Sequence, residues 1–272
     1  MENKETVYIF WTGGWDSTFR FLQLAEKDII IQPLYVHTET RPGNTYEQRT
    51  MQKIIKEISK NPKFKAEIKD IVIYDRQVIL DEYFDKEIFD AHEKIKPKYT
   101  LGDQYLWFSL LAKHINKKIE VCVEYSERSK AYDALHTEGK LVEIDKNLEI
   151  IDIENSSEEL IKEFSFAIFP TMKYSKIKMK QIAKEKGWYE IMKMTWFCHN
   201  PINNKPCGKC NPCKDAMNEG MNFRMPIKSK FRYYYYHASL KTFLTNIFSI
   251  KNVTENNEKK KIMTVLGIKI EI

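Results

Sequence analysis

Four of the five cysteines crowd into one short stretch, "WFCHNPINNKPCGKCNPCKDAM", at Cys198, Cys207, Cys210 and Cys213. Their spacing, C-x8-C-x2-C-x2-C, runs three thiols through two overlapping C-x2-C turns, and Gly208 and Pro212 between them favour tight bends. Four soft ligands so placed close a tetrahedral shell around zinc; an iron–sulfur cluster or sulfur-transferring thiols are the other chemistries the pattern allows. His199 adjoins Cys198, which makes it awkward for both to reach one ion. Cys122 stands apart in "KIEVCVEY" and reads as a small buried strand residue.

A second stretch with chemical potential is "YIFWTGGWDSTFRFLQL", which packs two glycines and an Asp-Ser-Thr triplet between apolar runs. If a strand ends near Trp11 and a helix begins near Ser17, residues 12–17 form a strand-to-helix turn at the carboxyl edge of a parallel sheet, where ligands bind. Gly13 and Gly14 permit a close approach that a Cβ would forbid. Unpaired N–H groups and the helix dipole favour an anion, and Thr12, Ser17 and Thr18 add hydroxyls suited to a phosphate chain. The spacing is neither a Walker loop, which needs a Lys after its second Gly, nor the G-x-G-x-x-G of a dinucleotide fold.

The elements around these motifs follow from periodicity. Short apolar runs at 6–11, 28–36, 68–74 and 119–125 predict strands buried on both faces. Helical spacing predicts helices over 17–27, 46–59 and 105–115. Strand alternating with helix implies right-handed crossovers and an α/β fold with a parallel sheet of about five strands covered on both sides. A basic helix starts at Ser175 as N-cap and stops at Gly187. Beyond Met225 an aromatic, basic run "KSKFRYYYYHASLKTFLTNIF" leads into a polar linker, "KNVTENNEKKK", and a short apolar end. The organisation expected is a nucleotide-binding domain over 1–194, a four-cysteine module over 195–224 and an extension over 225–272.

The 272 residues hold 44 Lys plus Arg against 38 Asp plus Glu, a net charge of +6 that suits a polyphosphate ligand without demanding one. No signal peptide or membrane span is readable, which places the protein in the cytoplasm, where clustered thiols bind metal more often than they pair.

The string T-G-G-x-D-S-T resembles the S-G-G-x-D-S loop of the N-type ATP pyrophosphatases, with Thr12 keeping the hydroxyl of the usual serine. Together with the cysteine pattern it resembles the 7-cyano-7-deazaguanine synthase family over roughly residues 6–224, aided by "NTYEQRT" and "YSKIKM". The resemblance implies a HUP-type fold, often dimeric, a structural Zn2+ at the four cysteines, and Mg-ATP bound through Thr12, Gly13, Gly14, Asp16, Ser17, Thr18, Thr38 and Arg49. It further implies that Asp16 positions metal and phosphates, that Lys176 supplies a cation to the leaving pyrophosphate, and that ammonia takes an adenylated carboxylate on to a nitrile. The chain departs from the family at "TLGDQYLW" and "EYSERSKAYDALHTEG", which are substrate-side positions. Two other readings are an amidation or thiolation on the same scaffold, linked to surface-polysaccharide synthesis with the tail touching a membrane, and tRNA binding by a zinc module with stacked tyrosines.

Overall fold

The computed structural model describes residues 4–237, 248–255, 258–265 and 268–271. The chain divides into two units, Met1–Trp196 and Phe197–Ile272.

In the first unit the elements run β1 (Thr6–Phe10), α1 (Trp15–Ala25), β2 (Ile30–His37), α2 (Asn44–Ser59), β3 (Glu67–Ile68), β4 (Val72–Asp75), α3 (Arg76–Glu82), α4 (Lys86–Tyr99), α5 (Gln104–Ile115) and β5 (Ile119–Glu120). There follow α6 (Lys130–Thr137), β6 (Leu141–Asp145), β7 (Leu148–Ile151), α7 (Glu158–Phe164), β8 (Ala167–Ile168), α8 (Lys176–Glu185) and α9 (Tyr189–Lys193). The main sheet has the order β3-β2-β1-β5-β8 with β4 also pairing β2, and every one of these pairs is parallel. The α/β architecture expected from the sequence is therefore present. Strand β1 is central, so the chain winds outward to one side through β2 and then returns to the other through β5.

The last residue of β1 and the one after it show how the two faces are filled. Phe10 stacks on Phe108 of α5 at 3.9 Å between ring centroids, while Trp11 stacks on Phe21 of α1 at 4.0 Å. The run predicted as one strand over 68–74 is split, because β2 contains Pro33, which has no N–H to give the ladder. Ile31 pairs with Ile68 and Leu34 with Val72, so the neighbouring strand carries an extra residue there, as a bulge does. Ser175 caps α8 by accepting from the Lys178 N–H, and Gly187 closes it with a φ of +76°.

The face covered by α4, α5 and α7 hides an ionisable cluster. His92 is fully buried, and its Nδ1 lies 2.7 Å from Glu163 Oε1, with Asp103 at 3.5 Å from its Nε2 and Lys96 at 2.7 Å from Asp103. Burial opposes a charge on His92, yet the Glu163 and Asp103 carboxylates outweigh it and raise its pKa from 6.5; burial raises Glu163. Both groups hold protons more firmly folded than unfolded; the contribution of His92 is complete below about 6.5 and is lost as pH rises through its raised value, while that of Glu163, raised from 4.5, is lost from about 4.5 upward. The urea midpoint is expected to fall between pH 6 and pH 9, and the double variant His92→Leu, Glu163→Leu is expected to flatten that slope.

In the second unit a cysteine-bearing loop precedes α10 (Asn211–Asn218) and α11 (Ile227–His237), and β9 (Phe248–Glu255), β10 (Glu258–Val265) and β11 (Ile268–Glu271) form an antiparallel meander. The segment read as a polar linker thus lies largely in paired strands, Lys251 opposite Ile262 and Val253 opposite Lys260. Polar composition hid this, because a ladder is made by backbone groups whatever the side chains carry.

Candidate functional site

The site begins at the end of β1. Trp11 extends the ladder by donating to the Leu34 carbonyl at 2.9 Å, and Gly13 then turns the chain with a φ of +66°. A Cβ on Gly13 would sit 3.1 Å from Met51 Cγ and 3.3 Å from the Glu47 carbonyl, so α2 presses against the turn. Gly13→Ala is expected to cost about 1–2 kcal/mol from the left-handed backbone alone, read as a lower urea midpoint. Gly14 is the N-cap of α1, and no side chain caps that helix end. First-turn amides left without a side-chain cap attract an anion.

Where the chain reverses direction across the sheet, between β1 and β5, a cavity of about 120 Å³ opens. Thr12, Gly14, Asp16 and Ser17 line it from the turn, Tyr105 and Phe108 from α5, and Val121 and Cys122 from beyond β5. Ser17 Oγ is buried, with no hydrogen-bond partner among the described residues. The volume is well under the ~300 Å³ at which small-molecule pockets begin, so it suits a phosphate-sized group and leaves the rest of a ligand outside. Phe10, Thr12, Gln104 and Phe108 also line an adjoining crevice, which continues to Thr38, Arg41 and Trp107.

That crevice is braced from behind. Arg41 Nη2 meets Glu47 Oε2 at 2.6 Å, the Tyr35 hydroxyl donates to the same oxygen at 2.8 Å, and Asn44 Nδ2 donates to the Thr38 carbonyl. Burial pushes the Tyr35 hydroxyl up and keeps it protonated; burial also raises Glu47, with the Arg41 guanidinium and the Tyr35 hydroxyl opposing it. Arg76 lies over the Trp107 ring at 5.5 Å.

Of the residues singled out in the sequence, Thr12, Gly14, Asp16 and Ser17 meet in the cavity, and Thr38 lies along the crevice. Gly13 shapes the turn. Thr18 is fully buried, and its hydroxyl accepts from Trp11 Nε1 at 3.0 Å, so it serves the core. Arg49 is exposed on α2, its guanidinium 5.9 Å from the Tyr46 ring centroid, and lines neither space. Lys176 Nζ pairs with Glu124 Oε1 at 2.9 Å, both side chains being largely buried. Cys122, expected as a buried strand residue, lies beyond the end of β5, half-buried, and lines the cavity; burial pushes its thiol well up and keeps it protonated. Tyr105 is likewise held protonated, by burial first and the Glu124 carboxylate second. Phe108 was not anticipated, since a helix face carries no local signature of what it lines; Gln104, Tyr105 and Glu124 fall in the two stretches that the resemblance marks as substrate-side, though none was singled out by itself.

The largest cavity described, about 430 Å³, lies elsewhere, where β5 and β8 begin. Its lysines are mostly engaged, Lys113 with Asp85, Lys118 with the Ser165 carbonyl and Lys162 with Glu158. The polar groups that line this cavity largely pair with one another, whereas the turn holds the buried Ser17 hydroxyl without a partner among the described residues.

In the second unit the sulfurs of Cys198, Cys207, Cys210 and Cys213 all lie within 4.8 Å of one another, a group that could hold a metal ion. Cys207 and Cys213 are 3.8 Å apart and Cys210 and Cys198 3.9 Å, close to the ~3.8 Å edge of a tetrahedron with metal–sulfur bonds of about 2.3 Å. Backbone amides complete the nest: Cys207 N–H donates to Cys198 Sγ at 3.1 Å, and Lys209 and Cys210 N–H donate to Cys207 Sγ at 3.3 Å. Among the described residues no helix is long and apolar enough to cross a membrane. No protein-family model matches the chain, and no curated protein shows significant similarity to it.

Proposed function

We propose that the chain is an ATP-dependent ligase of the PP-loop type, which adenylates a carboxylate substrate, releases pyrophosphate and passes the acyl group to ammonia. The observation that carries this reading is the cavity at the β1–β5 reversal, walled by Thr12, Gly14, Asp16 and Ser17 and holding an unsatisfied Ser17 hydroxyl. The sheet order with β1 at its centre is compatible with the HUP-type fold that the sequence resemblance implies.

In this reading one phosphate of the leaving pyrophosphate occupies the cavity, met by the first-turn amides of α1 and the hydroxyls of Thr12 and Ser17. A substrate carboxylate attacks the α-phosphorus, and the bond to the bridging oxygen breaks as pyrophosphate leaves. Asp16 would be the carboxylate to hold Mg2+, which would neutralise phosphate charge when bound. Lys176 exchanges Glu124 for the leaving group. Ammonia then displaces AMP to give the amide, and a second adenylation followed by loss of AMP gives the nitrile. The adenosine lies along Thr38 and the crevice toward Trp107. The four thiols fit a single zinc ion, bound structurally, better than a cluster whose irons would spread the cysteines.

The test is calorimetric titration with α,β-methylene-ATP and Mg2+, an analogue that cannot be split at the bond in question. Micromolar binding that inorganic pyrophosphate competes away is expected. No heat at millimolar analogue would end the proposal.

A further inference from the structure

The loop that carries the thiols is sandwiched. Its amides face sulfur, as described above, while its carbonyls face the other way, onto α11. Arg232 Nε donates to the Cys207 carbonyl at 2.7 Å and its Nη2 to the Pro206 carbonyl at 2.9 Å; the same nitrogen reaches Ser229 Oγ at 3.2 Å. Ser229, fully buried, donates to the Pro206 carbonyl at 2.5 Å. His237 Nε2 donates to the Lys209 carbonyl at 3.1 Å, and the Lys209 ammonium lies 3.7 Å from the Tyr236 ring centroid. Gly208, with a φ of +79°, makes this contact possible: a Cβ there would come within 2.3 Å of the Ser229 carbonyl oxygen.

We infer that α11 is the outer half of the metal centre, with Arg232 and Ser229 as positioning residues that hold the Pro206–Lys209 peptides so that their amides point at the ligating sulfurs. The inference rests on the four cysteines holding a metal ion. An arginine fork across two successive carbonyls polarises the peptides that donate to thiolate on their far side, and it fixes the loop before the ion arrives. Coupling of this kind is reciprocal. If α11 raises metal affinity, then bound metal must stabilise α11 on the loop by the same factor. The tyrosine-rich helix would then be ordered by metal loading, in place of standing as an independent extension.

Two measurements on the full-length chain decide it. Competition against a chromophoric chelator is expected to show zinc affinity falling about 10–100-fold in Arg232→Ala, with Arg232→Lys recovering only part because an ammonium cannot span both carbonyls. The Co2+-loaded variant is expected to keep the tetrathiolate absorption bands, since the ligands themselves are unchanged. In the wild-type chain, which avoids any folding defect of a variant, stripping the metal is expected to speed hydrogen exchange across 229–237. Unchanged affinity in Arg232→Ala together with unchanged exchange on stripping would overturn the inference while leaving the metal centre standing. A wild-type chain that binds neither Zn2+ nor Co2+ would remove the metal centre and the inference with it.

Discussion

Asp16→Asn is expected to lower pyrophosphate release from ATP by about 100-fold or more, with 7-carboxy-7-deazaguanine and ammonium supplied as co-substrates. Asparagine keeps the shape of the side chain, removes its charge and turns one acceptor oxygen into an NH2 donor, so the comparison tests what the carboxylate does for metal and phosphate. Asp16 lines the cavity from the first turn of α1, where a negative charge also favours the helix dipole. That second role alone is worth less than about 1 kcal/mol. The variant should therefore unfold almost like the wild type while losing activity. Full activity in Asp16→Asn, with a small stability loss, would leave Asp16 a helix-end carboxylate and nothing more.

Stability should fail most sharply one turn further along α1. Arg20 makes a bidentate pair with Glu120, Nε to Oε2 at 2.7 Å and Nη2 to Oε1 at 2.6 Å, and both side chains are buried. The pair ties α1 to β5 directly beneath the residues that line the cavity. Glu120→Gln leaves a guanidinium in the interior without its counter-charge, and a loss of about 3–5 kcal/mol is expected in urea or thermal unfolding. Arg20→Met combined with Glu120→Leu is expected to recover most of it, because two apolar side chains of similar volume carry no desolvation penalty. A single-variant loss below about 1 kcal/mol would mean that water reaches the pair.

The strand–turn–helix that opens the chain was legible because everything it needs is contiguous: an apolar run, two glycines and a helical repeat. The cysteine cluster was legible for the same reason, its ligands being spaced by turns whose geometry is local. What escaped is what only packing decides. Helices α3 and α4 fill 76–99, and the β6–β7 hairpin fills 141–151, both passed over because charged residues break their apolar runs into short pieces. The run at 119–125 reads as one long strand, but only Ile119 and Glu120 lie in β5; Val121 and Cys122 turn to the cavity as its floor. Thr18 looked like a phosphate donor by proximity, and a buried indole 7 positions back claims its oxygen. Arg49 lies in a motif-like string, yet the phase of α2 carries it to the surface. Neither phase nor partner is written in a short string.

Gly13 gives its carbonyl to the N–H of Trp196 at 2.9 Å, and Tyr46 stacks on the same tryptophan at 4.7 Å. The turn after β1 is thus fastened by the last residue of its unit. At synthesis rates of about 5–20 residues per second, roughly 10–40 s separate their emergence from the ribosome. Through that interval the nascent chain owns a glycine turn without its final brace, and on the proposed reading competence to bind ATP should arrive as a late event of biosynthesis.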